Sequence, residues 1–200
     1  MEKTSAFTDL TRLLASQIGN LIAISELAST LALSAPTVKQ YLWYLEKTYI
    51  IHRVPPYFKN ARKEITKMPT FYFYDLGLRN FAEQKGMAIT MPDGLLFENF
   101  VFLLLHESFS SLSYPIRFWR TKSGAEVDFI IDRGTSPIAV EVKSGPFRAP
   151  IVGKSLRSFI QRYKPPHVFI VTKDYMHTLM VDTTAAHFVP FYMLPHESML

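Results

Sequence analysis

Residues 116–143 read IRFWRTKSGAEVDFIIDRGTSPIAVEVK, and their pattern sets the fold of the second half of the chain. Ile116 to Arg120 and Glu126 to Ile131 are two apolar-rich runs joined across Lys122-Ser123-Gly124, the composition of a β-hairpin. A turn at Asp132-Arg133-Gly134 leads into a third strand, Pro137 to Lys143. Aspartate is depleted in strands, so Asp128 inside Val127-Asp128-Phe129-Ile130-Ile131 needs a reason. Strict alternation puts Glu126, Asp128 and Ile130 on one face and Val127, Phe129 and Ile131 on the other. The same period places Glu141 and Lys143 on one face, with Ile138, Val140 and Val142 turned to the core. Each charged residue alone reads equally well as a solvated strand face. Together they bring two carboxylates and a lysine onto neighbouring strands.

The flanking sequence supports a mixed α/β domain over residues 86–200. Leu95 to Glu107 is a helix, apolar nearly all round and therefore buried. Within it Glu98 has two readings of equal weight. It is either a buried carboxylate that needs a partner or a metal, or a charge at an exposed helix start. Lys154 to Tyr163 is a further helix, stopped by Pro165 and Pro166. His167 to Thr172 is a strand, and the apolar Phe188 to Leu194 is expected to pack as a last one.

The first 85 residues read differently. Phe7, Leu10, Leu13, Leu14 and Ile18 mark one helix that ends at Gly19. A second is expected from Ser25, as its cap, to Leu31. Ser34 caps a third, with Pro36 in its first turn. There Val38, Tyr41, Leu42 and Leu45 form one apolar stripe. Strands at Tyr49 to Val54 and Phe71 to Tyr74 flank a basic loop with Lys59, Arg62, Lys63 and Lys67. Asp75 to Phe81 is a short helix, and Gly86 to Asp93 a linker. Helix-turn-helix followed by two strands is a winged helix. Thr37, Lys39 and Gln40 would face a DNA groove, while Trp43 and Tyr44 equally suit a protein interface.

Composition narrows the chemistry. The 200 residues are 48% hydrophobic, with 16 Phe and 10 Tyr, enough for bulky cores. There is no cysteine, which excludes disulfides, thiolate zinc sites and a thiol nucleophile. A metal would be held by oxygen or imidazole, and carboxylates favour a hard ion such as Mg2+, or Mn2+. Net charge is +5, suited to an anionic partner such as DNA. Arg117, Arg120 and Lys122 near the hairpin read either as phosphate contacts or as an ordinary charged face. The six histidines lack ligand spacing and are expected to be structural or superficial. The longest apolar stretch, Leu95 to Leu105, is broken by Glu98 and Asn99 and too short for a bilayer. A cytoplasmic protein without a membrane segment is the expectation.

Asp128, Glu141-Val142-Lys143 and the helical Glu98 resemble the PD-(D/E)XK superfamily, the restriction-endonuclease-like fold. That resemblance implies metal binding by Asp128, Glu141 and Glu98, and a catalytic Lys143. No proline precedes Asp128; Val127 stands there. A resemblance covering more of the chain rests on Thr37-Val38-Lys39-Gln40-Tyr41-Leu42, Phe73-Tyr74-Asp75-Leu76-Gly77-Leu78, Phe97-Glu98-Asn99, Phe118-Trp119-Arg120, Gly124-Ala125-Glu126-Val127-Asp128-Phe129 and Val140-Glu141-Val142-Lys143-Ser144. Together these are similar to an uncharacterised domain family that follows AAA-type ATPase modules in bacteria and archaea. It implies a winged helix joined to a restriction-endonuclease-like domain. Such proteins usually carry the ATPase upstream, whereas here Met1 almost directly precedes the winged helix. Gly153-Lys154-Ser155 is no P-loop, because Arg148 stands where a glycine is required. ATP hydrolysis is therefore not expected of this chain, and an ATPase module or another protein acting in trans is a candidate partner. The expected function is metal-dependent DNA cleavage. The alternatives are a DNA- or protein-binding regulator that keeps the nuclease-like fold without using its site, and a homo-oligomeric assembly module.

Overall fold

The computed structural model describes residues 2–57, 68–84, 94–110, 112–134 and 136–194. The basic loop with Lys59, Arg62, Lys63 and Lys67, and the whole Gly86 to Asp93 linker, lie outside the described residues. The chain forms two compact units. The first takes its described residues from Met1–Val54 and Met68–Asn99, the second from Pro55–Lys67 and Phe100–Leu200. The division is thus not a single cut near residue 85. Residues 55–57 join the second unit, and the start of the Gly94 helix joins the first.

The first unit contains α1 (Glu2–Ser16), α2 (Ile24–Thr30), α3 (Ala35–Lys47), β1 (Ile51–Val54), β2 (Thr70–Phe73) and α4 (Leu76–Ala82). Ser34 caps α3 as its sequence demands: its Oγ accepts the Thr37 N–H at 3.2 Å, and Pro36 occupies the first turn. Val38, Leu42 and Leu45 are buried, and Tyr41 meets the Phe7 ring edge-on. The cap of α2 differs from expectation. Its N-cap is Ala23, which offers no side-chain oxygen, and Ser25 lies inside the helix. β1 and β2 pair antiparallel, from Ile51 opposite Phe73 to Val54 opposite Thr70. Three helices followed by an antiparallel pair is the order of a winged helix.

Two polar side chains tie this unit together. Arg79 on α4 is fully buried. Its guanidinium donates to the Ala15 carbonyl and to Asn80 Oδ1, and pairs with Glu83 at 2.9 Å. A buried guanidinium is tolerable only when its donors are matched in this way. Asn99, on the helix Gly94–Ser110 (α5), is also fully buried. Its amide donates to the Phe73 carbonyl at 2.8 Å and accepts the Phe73 N–H at 2.9 Å. One side chain thus supplies both halves of a strand-pairing bond to β2.

The second unit is a six-stranded mixed sheet in the order β3-β4-β5-β6-β8-β7. Its strands are β3 (Ile116–Arg120), β4 (Glu126–Ile131), β5 (Ile138–Val142), β6 (His167–Thr172), β7 (His177–Val181) and β8 (Thr184–Pro190). β4 pairs antiparallel with both β3 and β5. β5, β6 and β8 are parallel, and β7 returns antiparallel on β8. The parallel step from β5 to β6 needs a crossover; α6 (Lys154–Tyr163) provides it. Leu156, Phe159 and Ile160 of α6 pack on Val127, Ile130, Ala139, Val168, Ile170 and Phe188. On α5, Phe102 packs against Phe129 of β4. β7 was not expected from sequence, and the last strand is β8, ending at Pro190 before a 3-10 turn over Phe191–Met193. Together the units make a mixed α/β fold of the α+β kind.

Candidate functional site

β4 does not alternate strictly. Arg117 pairs with Ile130, but Trp119 pairs with Val127, so three steps on β4 match two on β3. Asp128 and Phe129 therefore stand opposite Phe118 alone, which is a β-bulge. The bulge resets the parity of the strand. Val127 and Ile130 both join the core under α6, whereas Phe129 meets Phe102. The expected grouping of Val127 with Phe129 on one face fails for this reason.

The same irregularity gives Asp128 its place. On its other side β4 pairs with β5 only from Phe129 opposite Val140 to Ile131 opposite Ile138. One step further the backbone ladder stops, and Asp128 Oδ2 accepts the Val142 N–H at 2.7 Å. A charged acceptor makes this bond stronger than a peptide carbonyl would. The carboxylate is thereby fixed on the peptide unit that follows Glu141.

Glu141 lies near the carboxyl end of β5 and is only 6% exposed. Its Oε1 pairs with Lys143 Nζ at 2.7 Å, and the Lys143 side chain is 49% exposed. Its Oε2 is buried and finds no hydrogen-bond partner among the described residues. Gly153 is the N-cap of α6, and a Cβ there would lie 3.4 Å from Oε1. The carboxylate thus sits beside a helix N-terminus, whose dipole favours negative charge. An unpartnered buried carboxylate oxygen at the carboxyl end of a sheet strand, where α/β sheets bind ligands, suits a cation. Among the described residues no group of three or more His, Asp or Glu side chains is gathered to hold a metal. Asp128 and Glu141 offer a two-carboxylate set.

Glu141 and Lys143 therefore pair in the second unit, and Asp128 is bonded to the amide of the residue between them. Glu98 belongs to the first unit, where its Oε1 accepts the Tyr72 hydroxyl at 2.7 Å. Gly19, at φ +71°, lies so close that a Cβ would come within 2.5 Å of the same oxygen. Tyr72 and Asn99 were not singled out by sequence as functional. Both are polar contacts between β2 and α5, and neither carries a spacing signal.

The expected nucleic-acid contacts fall in two places. Lys39 and Gln40 are exposed on α3, and Gln40 donates to the Tyr44 hydroxyl at 3.0 Å. Thr37 is half-buried and bonded to Ser34. Trp43 and Tyr44 are exposed on the same helix. Arg120 pairs with Glu126 at 3.3 Å, Arg117 with Asp132 at 3.0 Å, and Lys122 is exposed at the hairpin tip.

The histidines show one grouping that their spacing hides. His167 Nδ1 and His187 Nε2 lie 3.0 Å apart across the parallel β6–β8 pair. Burial, and then His167, push His187 below its ordinary pKa. His106, stacked on Phe102, is lowered by burial.

A family profile described as Domain of unknown function (DUF4143) matches residues 93–192, and a second, Domain of unknown function (DUF8612), matches residues 1–87. Over 180 residues the chain is 26% identical to the uncharacterized protein Rv2008c of Mycobacterium tuberculosis and to the uncharacterized protein Mb2031c of Mycobacterium bovis. These alignments cover 87% of this chain and 40% of each relative, so the chain spans well under half of their length. Among the described residues no helix is long and apolar enough to cross a membrane.

Proposed function

We propose a reaction for this chain, which belongs to the family described as Domain of unknown function (DUF4143): metal-dependent hydrolysis of DNA phosphodiesters at a PD-(D/E)XK-type site. The observation that carries the reading is the buried, unpartnered Oε2 of Glu141, beside an Asp128 that a β-bulge and the Val142 amide hold in place. Mg2+ binds through one or two carboxylates and completes its shell with water and substrate phosphate. Asp128 and Glu141 match that requirement, and Mn2+ fits the same oxygens. When bound, the ion stabilises charge on the phosphate and makes a coordinated water more acidic.

The chain's own groups do the rest. Asp128 keeps one oxygen on the Val142 amide, which holds its carboxylate in place. Lys143, half-exposed and paired with Glu141, holds its ammonium where an incoming phosphate gains a positive partner. Lys122 and Arg120 extend positive charge along the hairpin, and α3 supplies Lys39 and Gln40 as DNA contacts. An AAA-type ATPase module is a further partner that this reading expects.

A second reading is a DNA- or protein-binding regulator that does not cleave. Exposed Trp43 and Tyr44 on α3 favour it, because aromatic side chains on a presented helix are typical of interfaces. The deciding experiment is cleavage of single- and double-stranded DNA with Mg2+ or Mn2+, comparing wild type with Glu141→Ala, Lys143→Ala and Glu98→Gln. Loss of cutting in the first two establishes the enzyme. A folded wild-type protein that binds DNA and never cuts it, with an ATPase partner added, establishes the regulator.

A further inference from the structure

A pair of facing histidines lies on the β6–β8–β7 end of the sheet. β6 and β8 run parallel with Phe169 opposite His187 and His167 opposite Ala185, so the two histidines are diagonal neighbours on one face. Their rings tilt together, with centroids 5.3 Å apart and planes at 30°. Nδ1 of His167 and Nε2 of His187 face each other at 3.0 Å. The His187 ring is held from two sides. It stacks on Phe169, with centroids 5.1 Å apart, and its Nδ1 meets Thr178 Oγ1 of β7 at 3.2 Å.

This arrangement is that of two imidazole ligands with one outer hydrogen bond already in place. If Thr178 Oγ1 accepts the Nδ1–H of His187, Nε2 carries its lone pair towards His167. A metal-ligating histidine typically donates its other N–H in this way. His167 is exposed, so with an ion bound to Nδ1 its Nε2 would carry the proton and face solvent. Two nitrogens at tetrahedral Zn–N distances are about 3.3 Å apart. A chelate therefore needs the nitrogens to part by about 0.3 Å and both rings to tilt so that their lone pairs converge on one ion. In the metal-free state one proton bridges the two nitrogens, and an ion would take its place.

We propose that His167 and His187 form a two-histidine site for a borderline divalent cation such as Zn2+, oriented by Thr178 and completed by water. Imidazole suits Zn2+, Ni2+ and Cu2+, whereas Mg2+ demands oxygen. The site is thus separate in chemistry from the carboxylates of Asp128 and Glu141, and it stands whether or not the chain cuts DNA.

The test is titration of the whole chain with ZnCl2 and with MgCl2, read by calorimetry and by the imidazole proton resonances in NMR. Wild type is expected to bind one Zn2+ with the resonances of His167 and His187 shifting together, and MgCl2 to leave both unmoved. His167→Gln, at an exposed position that keeps the fold, is expected to weaken Zn2+ at least tenfold. Thr178→Val should weaken it about 10- to 100-fold, the usual effect of losing an outer partner. Zn2+ binding of equal strength in wild type and His167→Gln overturns the proposal. So does Zn2+ binding that shifts other histidines and not these two.

Discussion

The Val142 amide donates to the Asp128 carboxylate at 2.7 Å, at the point where the backbone ladder between β4 and β5 stops. A side chain has taken over from a strand carbonyl. Structure and chemistry therefore separate at this residue. Asp128→Asn keeps an oxygen for the amide and should leave stability nearly unchanged, while lowering the proposed DNA cleavage about a hundredfold or more. Asp128→Ala strands the amide and should cost about 1–3 kcal/mol as well. Urea unfolding and a plasmid assay on both variants read the two effects apart.

Glu141 should behave as a residue kept at the expense of stability. An amide costs less to bury than a carboxylate. In metal-free buffer, Glu141→Gln is expected to unfold at the same temperature as wild type or higher. Saturating Mg2+ should stabilise wild type, by about 2.7 kcal/mol at a hundredfold excess over Kd. The variant should show no such shift. A variant that is less stable without metal, or equally stabilised with it, would contradict the site.

Asn99 joins α5 to β2 through both amide groups. Asn99→Ala should leave the Phe73 N–H and C=O buried and unmatched, at about 1–3 kcal/mol for each group. Chemical denaturation gives the sum, and hydrogen exchange at Phe73 should rise sharply.

Acid should weaken the second unit through His106. Its folded pKa lies below the ordinary 6.5 because burial disfavours the cation. The unfolded chain thus takes up the proton first as pH falls. Stability attributable to this group is intact above about pH 6.5 and erodes below it. Melting curves between pH 7.5 and 5.5 should fall for wild type and fall less for His106→Gln.

Lys39 on α3 is exposed and structurally idle, so Lys39→Ala should leave the melting temperature unchanged. If α3 meets DNA, the salt dependence of binding should drop by about one unit of slope. An unchanged slope, combined with binding lost on Trp43→Ala, would point to a protein partner for this helix.

Much of the fold was legible where a burial pattern and a stop signal coincide. Ser34 and Pro36 start α3, Pro165 and Pro166 follow α6, and Lys122-Ser123-Gly124 turns the hairpin. β7 was not legible, because His177, Thr178 and Met180 on this edge strand are exposed and leave no apolar alternation. The bulge at Asp128 carries no glycine or proline to announce it. It shows only as a shift of register against β3. Glu141 and Lys143 could be placed side by side from sequence because a period of two governs β5. Tyr72, the partner of Glu98, could not, since they lie 26 positions apart with α4 between their elements. The meeting of His167 and His187 likewise depends on parallel register, which local spacing does not encode.

The short segment Pro55 to Tyr57 has a consequence for dissecting the molecule. Phe118 donates its N–H to the Pro55 carbonyl and accepts the Tyr57 N–H, so these residues shield the outer edge of β3. They follow directly on β1 of the other unit. A fragment beginning near residue 93, where the second family match starts, would retain the carboxylates and lysine yet bare the rim of its sheet. Bare rims of this kind seed intermolecular pairing. The half that carries Asp128, Glu141 and Lys143 is therefore best expressed with the N-terminal half attached, because the chain passes from one to the other and back before the sheet is complete.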